Sequence, residues 1–119
     1  MSDSAKRRGD WGEAVACEFL AGRDYSLVAK GWRSRFGEID LIVKNSEFVV
    51  FVEVKLRKNA SFAQAREYVG RAKQRKIVST AQLWLSSHDT GLQPRFDVIE
   101  VYAPVGSSSP EIFHIENAF

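Results

Sequence analysis

The stretch that most limits the fold is "GEIDLIVKNSEFVVFVEVKLR", Gly37 to Arg57. Two short runs rich in Val, Ile and Phe lie on either side of Asn45-Ser46, the pattern of two β-strands joined by a tight turn. Side chains alternate across a strand. In the second run Phe48, Val50, Val52, Val54 and Leu56 form an unbroken apolar row, while Glu47, Glu53, Lys55 and Arg57 share the other row with Val49 and Phe51. In the first run Ile39, Leu41 and Val43 alternate with Glu38, Asp40, Ile42 and Lys44. Each strand therefore has one apolar face and one face that carries charge. Burying that charge is costly unless it is paired or binds a cation.

A turn centred on Asn45-Ser46 sets Lys44 opposite Glu47, Ile42 opposite Val49, Asp40 opposite Phe51 and Glu38 opposite Glu53. Both charged faces then fall on one side of the sheet. Asp40 and Glu53 become diagonal neighbours about 7–8 Å apart, a gap in which two carboxylates can share a hard cation at about 2.1 Å per bond. Lys55 follows one pleat on, about 6–7 Å along the strand. For phosphodiester hydrolysis these parts have defined tasks. A metal on Asp40 and Glu53 polarises the phosphate and acidifies a water, and Lys55 positions that water or stabilises developing charge. The competing reading is a cross-strand ion network, Asp40 with Lys55 or Arg57 and Glu38 with Arg33 or Arg35, worth ~0–1 kcal/mol per exposed pair. The position of the charges, at the ends of otherwise apolar strands, favours the metal site.

The remaining chain supplies the frame. Its 119 residues, 45% hydrophobic and 27% charged, fit one domain of ordinary composition. Residues 1–8 read as a loose basic arm and 9–119 as the domain. "GDWGEAVACEFLAGRDY" carries a helix, with Asp10 as N-cap, Glu13 three residues on, an apolar stripe of Trp11, Val15 and Phe19, and Gly22 at its stop. Tyr25 to Trp32 reads as a strand and "RSRFG" as a turn. From Ser61 to about His88 the pattern is helical, with a break near Gly70 that separates a short piece from a longer helix carrying Ile77, Ala81, Trp84 and Leu85. "RFDVIEVY" and "EIFHIENAF" read as strands around the loop "APVGSSSP". The expected class is α/β, a mixed five-stranded sheet flanked by helices in the order α-β-β-β-α-α-β-β, its fourth strand made parallel by the helical return.

Several function classes drop out. Cys17 is the single cysteine, and His88 and His114 stand far from it and from each other, so no zinc-type spacing exists and a metal would be held by oxygen. No apolar run approaches the ~20 residues of a membrane span, and "MSDSAKRRGDWGE" lacks the apolar core of a secretory signal. A cytoplasmic protein with no membrane partner is the expectation. Charge is uneven: residues 55–76 hold eight Lys/Arg against one acid, whereas 77–119 hold one against five. Such a block is either a phosphate-binding patch or a solvated helix face. Its nucleic-acid candidates are Arg57, Lys58, Arg71, Lys73, Arg75 and Lys76, with Gln74 beside them. Trp32 could stack on a base or belong to the core, and Asp97 is expected to pair with Arg95.

"GEIDLI" followed by "FVEVKLR" resembles the Asp, then Glu-x-Lys signature of the PD-(D/E)XK nuclease superfamily, the restriction-endonuclease-like fold. The match is closer to the YraN-like uncharacterised family, through "GDWGEAVACEFL", "GWRSRFGEIDLIV", "FVEVKLR", "AKQRKI", "RFDVI" and "ENAF", together spanning about residues 9–119. Ile39 stands where the superfamily motif has proline. The resemblance implies that Asp40 and Glu53 are metal ligands for Mg²⁺ or Mn²⁺ and that Lys55 is the catalytic lysine. It adds Glu13 as a third metal ligand, at the position where archaeal Holliday junction resolvases carry an acid on the first helix, and sets Lys73 and Gln74 where related nucleases carry a residue that supports the metal ligands or contacts phosphate. The implied activity is metal-dependent endonuclease cleavage of DNA, branched or structured, and by analogy with resolvases a homodimer for a two-fold symmetric substrate. The alternative is a non-catalytic nucleic-acid-binding module of the same fold.

Overall fold

The computed structural model describes residues 3–57, 69–103 and 108–119, with side chains from residue 9 onward. Both rows of β3 (Phe48–Arg57) are buried along its first half, which requires a cover on each side. Val50 and Val52 pack with Leu41 and Val43 of β2 (Gly37–Lys44) beneath Ala16 and Leu20 of α1 (Asp3–Ala21). On the opposite face Val49 and Phe51 meet Ile77, Ala81 and Trp84 of α2 (Arg71–Ser86), with Trp32 partly buried against them. Trp32 is thus core. With β1 (Ser26–Ser34), β4 (Gln93–Tyr102) and β5 (Glu111–Ile115), the sheet runs in the spatial order β1-β2-β3-β4-β5. Only β3 and β4 are parallel, as the helical return demands.

The element order is α-β-β-β-α-β-β. Two helices are described where three were expected. The short helical piece before Gly70 falls outside the described residues, as does Lys58, and Gly70 caps α2 with extended backbone (φ −65°, ψ 163°).

At the other terminus α1 begins at Asp3, so residues 3–8 lengthen the helix instead of forming a loose arm, and Asp10 lies within it rather than capping it. Ala5, Lys6, Arg7 and Arg8 are strong helix formers, and Gly9 and Gly12 cost only about 1 kcal/mol each. The left-handed residue after α1 is Asp24 (φ 70°) and not Gly22, with Tyr25 N–H donating back to the Leu20 carbonyl at 3.1 Å.

The β2–β3 turn also differs from the expectation. Asn45 N–H donates to the Phe48 carbonyl at 3.0 Å, and the Asn45 Oδ1 accepts from Glu47 N–H (2.9 Å) and Phe48 N–H (2.7 Å). Ser46-Glu47 is therefore the centre, one residue later than expected. Lys44 pairs with Val49, Ile42 with Phe51 and Leu41 with Val52. The register moves by two residues, so the paired residues from Leu41 to Lys44 and from Val49 to Val52 keep their faces.

A buried polar knot ties β4 to β5. Arg95 donates to both oxygens of Asp97 (2.9 and 2.8 Å) and to Tyr25 Oη (2.6 Å). His114 of β5 lies 2.7 Å from Asp97, and Asn117 N–H reaches Asp97 at 3.0 Å. The Arg95–Asp97 pair expected from sequence is present.

Candidate active site

β2 and β3 part company beyond Leu41–Val52, the last pair between them. On the near side of the parting, Leu41 and Val43 face α1 and Ile42 faces α2; on the far side Ile39 joins the α2 cluster, and Gly37 packs on Lys76 and Thr80. Strict alternation would have put Ile39 with Leu41. Ile39 lies on the α2 side all the same, although the pairing of β2 with β1 runs unbroken past Asp40, and the Asp40 carboxylate takes Val54 N–H of the neighbouring strand at 2.8 Å. Beyond the last pair the Asp40 and Glu53 carboxyls come within hydrogen-bonding reach of each other, closer than the diagonal expected.

This geometry acts on the acids. Glu53 is 7% exposed. Burial, and then the Glu53 charge, push the Asp40 carboxyl up to about 8, against the opposing pull of the Val54 N–H. Glu13 joins from α1, which lies close over β3 because Gly12 presents no side chain to Val54 and Leu56. Its carboxyl is raised by burial, then by Glu38, with Lys30 opposing and Asp10 and Glu53 adding to the rise. Among the described residues no three His, Cys, Asp or Glu side chains converge closely enough to enclose a metal alone. Asp40 and Glu53 stand nearest each other, and the Glu13 charge acts on both. Glu38, expected near Glu53, instead pairs with Arg33 across β1 at 2.8 Å. To that extent the ion-network reading describes one end of the hairpin.

The cations come from two elements. Lys55, half-buried on β3, is shifted below its ordinary range by burial and then by the charge of Lys73, with Glu53 opposing. Lys73, in the first turn of α2, places its Nζ 3.0 Å from Glu53 Oε1. Burial works against its ammonium, but the charge and hydrogen bond of Glu53 outweigh that and raise its pKa. From the sequence Lys73 was expected either to support the site or to contact phosphate, and its partner was not named. Its place against Glu53 depends on where α2 docks, and the sole signal along the chain was its position at the start of the helix after the Glu-x-Lys strand. Arg71, Arg75 and Lys76 stand exposed on the same end of α2, and Arg57 is half-buried at the end of β3. Gln74 donates to the Val69 carbonyl at 2.7 Å, so it fixes the entry to α2.

A mixed sheet that opens between two central strands, setting paired acids beside two lysines, defines the class of this molecule. The chain belongs to the uncharacterised protein family UPF0102, whose pattern matches residues 12–101; this is the YraN-like family that the six segments resemble. It is 41% identical over 116 residues to the UPF0102 protein of Caldanaerobacter subterraneus subsp. tengcongensis, covering 96% of this chain and 95% of that one. Similar relatives occur in Vibrio parahaemolyticus (40% over 117 residues, 97% and 93% covered) and Clostridioides difficile (39% over 115 residues, 96% and 97% covered).

Proposed function

We propose that this protein is a metal-dependent endonuclease that hydrolyses DNA phosphodiester bonds, in branched or otherwise structured DNA. The observation that carries the reading is the meeting of Asp40 and Glu53 where β2 and β3 separate, with Asp40 pushed up to about 8 beside Lys55. Two acids that burial and mutual repulsion keep from ionising together gain most from a cation between them. The donors are carboxylate oxygens, which fit Mg²⁺ or Mn²⁺, ions that complete their shells with water and substrate phosphate oxygens.

Such an ion supplies Lewis acidity at the scissile phosphate and at the attacking water. The chain's own groups do the rest. Val54 N–H aims the Asp40 carboxylate. Lys55, held below its usual range, is a better proton acceptor for water near neutral pH than an exposed lysine. Lys73 neutralises part of the Glu53 charge, and Lys76, one helical turn on, begins a line of cations for the substrate backbone. A symmetric dimer would present two such sites to a two-fold symmetric junction.

The test is incubation with single-stranded, duplex, flap and four-way DNA in Mg²⁺ or Mn²⁺. Cleavage is expected to stop with chelator and to fall by about 100-fold or more in Glu53→Ala and Lys55→Ala. Cleavage that survives both substitutions overturns the assignment. The Lys73–Glu53 ion pair favours a second reading, a nucleic-acid-binding module without catalysis. Its signature is salt-dependent binding with no metal-dependent cleavage.

A further inference from the structure

Arg35 and Phe36, at the tip of the β1–β2 hairpin, have no part in the site above, yet the tip is pinned to α2. Gly37 lies so near that a Cβ there would stand 3.5 Å from Lys76 Cβ and 3.7 Å from Thr80 Oγ1. Thr80 donates to the Lys76 carbonyl at 2.8 Å, which leaves its oxygen to accept from Ser34 Oγ at 3.1 Å. Ser34 Oγ in turn accepts Phe36 N–H at 3.0 Å. On this fixed tip the Phe36 ring stays 39% exposed, with the Arg35 guanidinium 4.8 Å from its centroid. Beside it is a shallow hollow of about 390 Å³ lined by Arg75, Lys76 and Ser79. A partly exposed aromatic ring on an anchored two-residue loop, with arginine over one face and Arg75 and Lys76 lining the same hollow, is a surface suited to a flat, anionic ligand.

We infer that this tip is a subsite for an unpaired nucleotide, its base stacked on Phe36 and its flanking phosphates on Arg75 and Lys76. Every base has a π-face, so such a platform is sequence-tolerant, and arginine adds a cation–π contribution. A base within an intact duplex is already stacked and cannot offer its face. The inference rests on the reading of the neighbouring site as one that acts on DNA, and it sharpens the substrate. Phe36 precedes Asp40 by four residues of β2, roughly 13 Å at ~3.3 Å per residue, or about four steps of a DNA strand at ~3.4 Å each. Cutting would then fall within a few nucleotides of a junction between paired and unpaired DNA, as at a fork or flap.

The experiment measures affinity of the full chain, in Ca²⁺, for a fluorescein-labelled single strand, a forked duplex and a blunt duplex of one sequence. Metal-dependent cleavage in Mg²⁺ is read separately. Phe36→Ala is expected to weaken single-strand and fork binding by roughly 5- to 100-fold and to leave blunt-duplex binding unchanged, with Phe36→Tyr restoring the wild-type preference. Equal loss on all three substrates, or none, overturns the subsite, as does failure of the wild type to bind nucleic acid. If no DNA is cut while Phe36→Ala still loses the unpaired strand selectively, the subsite stands and the nuclease reading falls. If DNA is cut and Phe36→Ala prefers the fork as the wild type does, the reverse holds.

Discussion

Asp40 accepts a backbone N–H from one strand while sitting beside a second buried acid, and the two demands pull its proton affinity in opposite directions. Burial and Glu53 win, so the native state holds a proton that the unfolded chain has released between about pH 4 and about 8. Native protein then binds more protons than unfolded protein, and stability falls as pH rises through that window. A divalent ion favours the ionised form and offsets the fall. The thermal midpoint in chelator should therefore drop from pH 5 to pH 8 more steeply in wild type than in Asp40→Asn, and the increment from Mg²⁺ should grow over the same range. A pH-independent Mg²⁺ increment would sink the assignment of Asp40 as a ligand. At this scale the sequence was informative where alternation decides the outcome: Asp40, Glu53 and Lys55 were legible because strand periodicity sorts charge from core. Lys73 was legible through its place at the start of the helix, as a supporting or phosphate-contacting residue, but its pairing with Glu53 was not, since that partner lies on another element.

Between elements, two errors of expectation had opposite consequences. Moving the turn from Asn45-Ser46 to Ser46-Glu47 shifted pairing by two residues and left the faces of the paired residues intact, so the acids still converged. The burial of Ile39 on the α2 side departed from alternation itself, and no local pattern announces it, because Ile39 is apolar on either face. The knot between β4 and β5 shows the same division. Arg95 and Asp97 are two apart on one strand and pair visibly in the sequence, whereas His114 and Asn117 reach Asp97 only once β5 lies beside β4. Burial favours the protonated form of Asp97, but bonds from His114, Arg95 and Asn117 outweigh it and hold the carboxyl below its ordinary range. A depressed acid contributes stability above its unfolded pKa of about 4, and that contribution is lost as pH falls through the folded value. Asp97→Ala leaves the Arg95 guanidinium, 8% exposed, with Tyr25 and the more distant Glu116 as its partners, and should cost about 3 kcal/mol in urea unfolding at neutral pH. A loss under 1 kcal/mol would show that the knot is not a structural tie.

For the molecule as a whole, the class of sheet and the single parallel pair followed from the alternation of strands and helices, while the length of α1 did not, because polar helix formers leave no mark of burial. The described residues contain no helix long and apolar enough to cross a membrane. The contrast between a tight β2–β3 turn and the long excursion from β3 through α2 to β4 also sets an order in time. A hairpin closes in about 1–10 μs, whereas the parallel pair must wait for the crossover between its strands. The prediction is that Asp40 and Glu53 meet early, before α2 can deliver Lys73, so that the nascent hairpin sets its two acids against Lys55 alone. Mg²⁺ should accordingly raise the refolding rate of wild type and leave that of Asp40→Asn unchanged in stopped-flow mixing. A Mg²⁺ effect confined to the unfolding rate would place the encounter of the acids after the barrier. The cation that we assign to catalysis would then serve first as a counter-ion for the transition state of folding.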